Sequence, residues 1–147
     1  MVKIEDMTPE EMRTLLDRVE FGHLGCAREG QPYVVPMHYA YDSPDIYFLT
    51  TEGMKTEYIE SNAMVCFQVE EVHDTTSWRS VMVMGRAEHL TRKDEMEYAM
   101  QQITRRNPTL TPAINATETD AWGRGNTLAL YRIKPEVMDG RKTLAAT

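Results

Sequence analysis

Three short stretches carry the side chains best suited to chemistry. In Thr50-Thr51-Glu52-Gly53-Met54-Lys55 a strand ends, two hydroxyls follow, a glycine frees the backbone and a lysine stands where a helix begins. Free N–H groups at a helix N-terminus, the dipole behind them and a lysine point charge together favour a phosphate dianion. Read singly, an ordinary strand-to-helix turn with a solvated lysine is the better account, and Glu52 opposes an anion. Val34-Val35-Pro36-Met37-His38-Tyr39 places a proline inside what otherwise reads as a central strand, where it removes a ladder hydrogen bond. A planar cofactor could lie where a neighbouring strand would, with His38 or Tyr39 as donor; an edge strand with an exposed histidine is the simpler account. Ser77-Trp78-Arg79-Ser80 leads into the apolar run Val81-Met82-Val83-Met84. Trp78 and the later Trp122 could stack on a ring, although large aromatics near strand ends usually pack as core or interface.

Other chemistry finds no footing. There is no HExxH, no GxSxG and no P-loop, and Gly123-Arg124-Gly125 lacks the strand and spacing of a dinucleotide fingerprint. Cys26 and Cys66 each stand alone in an apolar neighbourhood without the close Cys or His spacing of a zinc site, so no metal is expected and both read as reduced core thiols. Glu70, Glu71 and Asp74 read as a solvated strand end. Asn115-Ala116-Thr117 matches a glycosylation acceptor, but nothing in the sequence supports the secretory route that pattern needs.

The elements that must position these residues follow from local pattern. Thr8-Pro9-Glu10-Glu11 is a capping box with proline at the first helical position, and Met12, Leu15, Leu16 and Val19 share one face of the helix it starts. Strands are expected over Gly22–Arg28, Pro32–Tyr41 and Ile46–Thr50, joined by turns at Glu29-Gly30-Gln31 and Asp42-Ser43-Pro44-Asp45. A short helix over Met54–Ser61 comes next, with Tyr58 and Ile59 available for its inner side. The strands Ala63–Val72 and Ser77–Leu90 form another hairpin, and Gly85 within the second suggests a bulge or a barrel corner. Thr91-Arg92-Lys93-Asp94 can cap a second long helix ending near Asn107-Pro108. Asn126–Ile133 is the last strand, closed by Pro135 and Asp139-Gly140. Consecutive strands joined by hairpin links, with no repeated βαβ alternation, predict a mainly β fold, an antiparallel six-stranded barrel with peripheral helices. Its last strand needs an edge partner, and dimerisation is one common cover for such an edge.

The 147 residues, 41% of them hydrophobic, suffice for one core, so a single domain over residues 1–147 is expected. With 23 acidic against 16 basic side chains the net charge is -7, which disfavours nucleic acid and anionic membrane as partners. Met1–Asp6 carries Lys3, Glu5 and Asp6 with no apolar run behind it, and no stretch approaches membrane-spanning length, so a cytoplasmic location is expected.

Taken in order, five segments resemble the pyridoxamine 5'-phosphate oxidase-like family of FMN-binding split barrels, especially its short members related to nitroimidazole-resistance proteins. They are Gly22-His23-Leu24-Gly25-Cys26-Ala27, Pro32–Tyr39, Ile46–Lys55, Asn62-Ala63-Met64-Val65-Cys66-Phe67 and Ser77–Ala87. The resemblance implies a Greek-key-like split barrel and a homodimer with FMN at the subunit interface. Val34, Val35, Pro36, Met37, His38 and Tyr39 would lie along the flavin ring; Leu49, Thr50, Thr51 and Lys55 would hold the phosphate end. Ser80 would reach the ring from the partner subunit, with Trp78 and Val81 beside it also counted as cofactor-binding, and Trp122 resembles a late family tryptophan near the cofactor. Met54 stands where the family often has an arginine, which removes a bidentate phosphate donor. No C-terminal Arg-Leu-His-type substrate motif is present, so vitamin B6 oxidation is not the expected activity. The implied activity passes electrons from a reduced nicotinamide through flavin to a small nitroaromatic or quinone acceptor, with His38 as the candidate proton donor. The alternatives are a non-catalytic flavin- or haem-binding or sensing protein of the same fold, with haem or the deazaflavin F420 in place of FMN.

Overall fold

A computed structural model describes residues 2–107 and 128–144. The order is β1 (Ile4–Asp6), α1 (Pro9–Arg18), β2 (Phe21–Arg28), β3 (Gln31–His38), β4 (Ala40–Asp42), β5 (Asp45–Thr51), α2 (Met54–Ser61), β6 (Met64–Asp74), β7 (Ser77–His89), α3 (Lys93–Arg106) and β8 (Leu128–Thr143). The strands form one antiparallel sheet in the order β3-β2-β6-β7-β8-β5-β4, with β1 added against the far end of β8. The two ends of that order, β3 and β4, are separated in the chain by Tyr39 alone, so the sheet curls round on itself as a barrel. The mainly β, antiparallel split-barrel fold with peripheral helices is therefore the fold of this chain.

Local chemistry explains most boundaries. Thr8 Oγ1 accepts from the Glu11 N–H at 3.2 Å and Glu11 Oε1 accepts from the Thr8 N–H at 3.0 Å, which completes the capping box and sets α1 with Met12, Leu15 and Leu16 buried. Glu29 and Gly30 both have positive φ, 50° and 80°, the signature of a two-residue type I′ turn, and Arg28 consequently faces Gln31 in a tight β2–β3 hairpin. Asp74 accepts from both the N–H and the hydroxyl of Thr76 at 2.8 Å, closing the β6–β7 hairpin. Leu24, Phe48, Phe67, Val69, Val81, Val83 and Ile133 fill the barrel with 0% exposure, and Tyr39 and Tyr131 complete it. A smaller cluster of Ala40, Tyr47, Leu90, Ala99, Ile103 and Leu130 seats α3 on the outside.

The strand count is eight rather than six for two reasons. β1 is three residues long, too short to leave a periodic signature, and exists by pairing Ile4 with Thr143 and Asp6 with Arg141. The strand expected over Pro32–Tyr41 is cut at Tyr39 into β3 and β4. The last strand also needs correction: it does not stop at Ile133 but continues through Pro135 and Gly140 to Thr143. The register shifts between Met84 and Gly85, so that Gly85 faces Pro135, Met84 faces Val137 and Glu136 is the extra residue. A bulge needs no N–H from proline, so Pro135 interrupts the ladder without ending the strand. For α3, Arg92 is the N-cap and supplies no side-chain cap, so the capping expected from Thr91–Asp94 is not made.

Gly85 is fixed by space. A Cβ there would stand 2.1 Å from the Lys134 carbonyl oxygen, a backbone atom that cannot rotate away. At Gly140 the nearest atoms belong to the flexible Met12 side chain, 2.7 Å away. Gly85→Ala is expected to lose roughly 1–3 kcal/mol of unfolding free energy in urea, and Gly140→Ala clearly less. A second outcome concerns acid. The Glu11 carboxylate is hydrogen bonded by Lys142 and by the Thr8 backbone, which hold it down from 4.5 to about 2. A depressed carboxylate stabilises the fold above its unfolded pKa and loses that contribution as pH falls from there through about 2. Melting temperatures of wild type and Glu11→Gln should therefore differ at neutral pH and converge across that acid window.

Candidate functional site

Tyr39 is where the barrel splits. Its hydroxyl donates to the Leu16 carbonyl at 2.5 Å and its own carbonyl accepts from Asn107 Nδ2 at 3.3 Å. The Arg106 guanidinium lies over its ring at 5.0 Å and the Phe67 ring meets it edge-on at 5.0 Å. Burial pushes its phenol well above the usual range, so it stays protonated. Before this point β3 pairs only with β2; after it, β4 pairs with β5 over Ala40↔Tyr47, Tyr41↔Ile46 and Asp42↔Asp45. Continuing that register backwards would set His38 opposite Leu49, yet β5 from Phe48 to Thr51 pairs only with β8. Among the described residues, the β3 and β5 edges beyond Tyr39 thus form no ladder with each other; this interruption of the sheet is the cleft, and the backbone groups along it have no ladder partner.

One end of this cleft is closed by α2. Asn62 Nδ2 donates to the Ala27 carbonyl at 3.1 Å and the rings of Tyr33 and Tyr58 pack 5.6 Å apart, fixing α2 against the β2–β3 hairpin. Lys55, in the first turn of α2, is half-buried and has no ion pair among the described residues. Its ammonium is close enough to Cys26 to oppose the rise that burial and Cys66 impose on that thiol. Glu52, Glu57 and Glu60 line a separate hollow of about 370 Å³ with His89 and Tyr131, so the acidic side chains do not neutralise the lysine.

The rest of the expected cradle is only partly present. The Gly53 N–H donates to Thr56 Oγ1 at 2.8 Å and the Thr50 hydroxyl to the Thr51 carbonyl at 3.2 Å, so both are already committed. Gly53 has an extended φ of 174° and open space where a Cβ would be, so the backbone freedom expected of it is not required here. Val34, Pro36 and His38 point outward from β3, whereas Met37 and Tyr39 point into the core. Tyr39 cannot donate to a ring as expected, because Leu16 holds its hydroxyl. His38 packs edge-on against Phe21, with centroids 4.9 Å apart, and no hydrogen bond orients its imidazole among the described residues.

Trp78, Ser80 and Val81 are elsewhere. They lie on β7, three strand spacings from β3, which is roughly 14 Å across the sheet. Val81 is wholly buried and its side chain reaches only the core, a correction to its expected place beside a ring. Ser80 faces outward and accepts from Gln68 Nε2 at 2.9 Å; Gln68 Oε1 is 3.2 Å from His23 Nδ1. This polar strip crosses an otherwise apolar outer face, where Val34 is 65%, Met64 39%, Met82 42% and Met84 42% exposed. Gly25, Val34, Met64, Cys66 and Met84 border a groove of about 350 Å³ there. Sequence reasoning missed Gln68, His23 and this face; the signal was the unbroken run Val81-Met82-Val83-Met84, since a strand apolar on both sides has both sides to cover. Trp122 lies outside the described residues. No cluster of three or more His, Cys, Asp or Glu side chains is placed to hold a metal among the described residues, and no helix there is long and apolar enough to cross a membrane.

Residues 8–142 match the family described as pyridoxamine 5'-phosphate oxidase. The chain belongs to that family. Among solved structures, it is similar to an FAD-binding protein of Mesorhizobium loti, with 29% identity, 97% of this chain and 99% of that one covered, and a TM-score of 0.78. A candidate 5-nitroimidazole antibiotic resistance protein of Bacteroides thetaiotaomicron shares the fold at 21% identity and a TM-score of 0.75, over 97% of this chain and 89% of that one. The FAD and haem binding protein of Mycobacterium smegmatis shares it at 14% identity and a TM-score of 0.70, over 97% and 74%. An uncharacterized protein of Rhizobium meliloti is 33% identical over 84 residues, covering 57% of this chain and 56% of that relative's length.

Proposed function

We propose that this member of the pyridoxamine 5'-phosphate oxidase family binds FMN in the cleft between β3 and β5 and works as an oxidoreductase. The observation that carries the reading is the split itself: two strand edges freed beyond Tyr39, with the half-buried, unpaired Lys55 at the end closed by α2. A planar ring that hydrogen bonds through its rim and ends in a phosphate fits such a slot. The relatives that bind FAD, one of them together with haem, support a flavin over an unrelated ligand.

In this reading Lys55 and the first-turn N–H groups of α2 hold the phosphate, with Leu49, Thr50 and Thr51 forming the floor beside it. Met54 supplies no second cation, so the lysine bears the charge alone. The backbone of Val34–His38 orients the ring, and the His38 imidazole holds a proton at the open side of the cleft. Bound flavin supplies the electron transfer, from a reduced nicotinamide to a small nitroaromatic or quinone acceptor. Pyridoxamine phosphate is not the proposed substrate. The setting is the cytoplasm, where the two free thiols, Cys26 and Cys66, stay reduced.

The reading also requires a homodimer. Ser80 and Trp78 stand on β7, three strand spacings from β3 and two from β5, and Ser80 is turned to the apolar outer face, so a second copy seated on that face is what would bring a Ser80 to the cleft. Such a pairing would also cover the exposed Met82 and Met84. A second reading, storage or sensing of flavin, haem or a deazaflavin without turnover, is favoured by one observation: no group among the described residues orients His38.

The absorption spectrum of the purified protein should show two flavin bands, with FMN released on denaturation. Lys55→Ala should weaken FMN binding by about tenfold or more, the worth of one charge-assisted contact. Equal affinity would remove Lys55 from the anchor, a Soret band would move the assignment to haem, and a colourless protein that refuses added FMN would overturn the reading. Light scattering should give a dimer for wild type and a monomer for the Met82→Asp, Met84→Asp double variant; a monomeric wild type would overturn the interface.

A further inference from the structure

His23, Gln68 and Ser80 stand on three neighbouring strands and touch in sequence across the outer face. His23 on β2 is directly opposite Gln68 on β6. On β7 the residue opposite Gln68 is Met82, and Ser80, two positions before it, is the diagonal neighbour. The alternation of buried and exposed positions along each strand turns all three to the side that carries Met64, Met82 and Met84, and each is half-buried.

The chemistry of these groups decides which way each hydrogen points. Gln68 Nε2 lies 2.9 Å from Ser80 Oγ and 3.5 Å from Glu70 Oε2. An ionised carboxylate only accepts, so the end of the amide beside Glu70 is the nitrogen and the end beside His23 is the oxygen. His23 Nδ1, 3.2 Å from Gln68 Oε1, therefore carries the imidazole hydrogen and donates it. Ser80 Oγ accepts from Gln68, so its own hydrogen points elsewhere, and it has no acceptor among the described residues. Glu70 is opposite Ser80 in the ladder, yet its carboxylate makes its contact with the amide and not with the hydroxyl.

We propose that Gln68 and His23 are positioning residues, which fix the Ser80 hydroxyl as a hydrogen donor to the flavin ring in the cleft of a second copy. The inference rests on the reading that FMN fills that cleft and that the pairing subunit brings Ser80 to it. A serine hydroxyl otherwise rotates freely between donating and accepting. An amide donor, itself held by an imidazole, removes that freedom, so the ring meets a hydrogen and not a lone pair. Covered by the second copy, the strip is cut off from water. An unpaired hydrogen is costly there, and an acceptor on the ring is selected over a donor at the same point.

Two measurements test this. Long-range nitrogen–proton NMR of the protein as purified, above the ordinary imidazole pKa, should show neutral His23 as the Nδ1–H tautomer, and Gln68→Met should release it to a mixture; the Nε2–H tautomer in wild type would overturn the proposal. On the FMN-loaded dimer, the affinity for FMN and its midpoint potential are compared among wild type, Ser80→Ala, Gln68→Met and the double variant. Ser80→Ala should weaken FMN binding roughly two- to tenfold, the worth of one hydrogen bond, and shift the potential. Gln68→Met should move both in the same direction, and the double variant should add nothing to Ser80→Ala. His23→Leu should give a smaller change of the same sign, which keeps the test open if Gln68→Met does not fold. Light scattering and melting curves establish that each variant is a folded dimer. An unshifted Gln68→Met, or a shift that persists in the Ser80→Ala background, would overturn the proposal and leave the FMN reading standing. A wild type without FMN, or Ser80→Ala that changes neither quantity, would overturn the reading beneath it and the proposal as well.

Discussion

Tyr39 is the single residue at which the chain leaves one end of the sheet and enters the other, and its side chain is held from several directions at once. The Leu16 carbonyl takes its hydroxyl, Arg106 covers its ring and Phe67 abuts it, while Asn107 ties its backbone to the end of α3. Arg106 also donates to the carbonyls of Leu16 and Val19, satisfying the C-terminal end of α1. One buried phenol therefore locks α1, α3, β3 and β4 to one another. Because β3 and β4 diverge in pairing on either side of this fixed point, the place where the barrel opens is decided by Tyr39 rather than by the strands that border the opening.

That constraint also separates what could be read from the sequence from what could not. Local signals carried the capping box at Thr8, the turn at Glu29-Gly30 and the bulge at Gly85, because each depends on residues within a few positions of one another. The break at Tyr39 has no such signal: the alternation Tyr33, Val35, Met37, Tyr39, Tyr41 continues through it, and only the distant partners Leu16 and Arg106 reveal it. Pro135 misled for the opposite reason, since a proline reads as a strand end unless the bulge opposite Gly85 is known. Of the residues named for the site, the place of Lys55 at a helix start and the alternation along β3 were legible from local pattern, whereas a part for Lys55 in a phosphate cradle came only from the resemblance. Tyr39 and Val81 were not legible, because the face a side chain takes depends on a register that the sequence does not print. The polar strip from His23 through Gln68 to Ser80 is formed by three strands and leaves no trace in any one of them.

The barrel interior excludes one class of function. Phe48 and Tyr131 stack 5.2 Å apart, Tyr39 and Phe67 meet beside them, and these side chains are at most 2% exposed. A barrel so filled has no lumen for a ligand, unlike wider barrels that enclose one. Among the described residues, room for a ligand is therefore left at a seam, where strands part or end, or on the outer face.

Each seam differs in how its backbone and charge are left unsatisfied. Between β3 and β5 no ladder forms and Lys55 has no ion pair among the described residues, so backbone groups and a positive charge are left at one interruption of the sheet. On the outer face the backbone is fully laddered and only side chains are free, mostly methionine and valine, which suits a protein surface more than a small polar molecule. At the ends of β7 and β8 the ladder closes but Arg18 has taken the carboxylate that Arg79 faces, leaving that arginine without an acidic partner among the described residues. All three follow from one geometric fact, that a filled barrel can place unsatisfied groups only where its sheet is interrupted or its outer face is bare. The acidic surplus of the chain then sharpens the contrast, because a cation without an acidic partner, as Lys55 is among the described residues, stands out against a negative field.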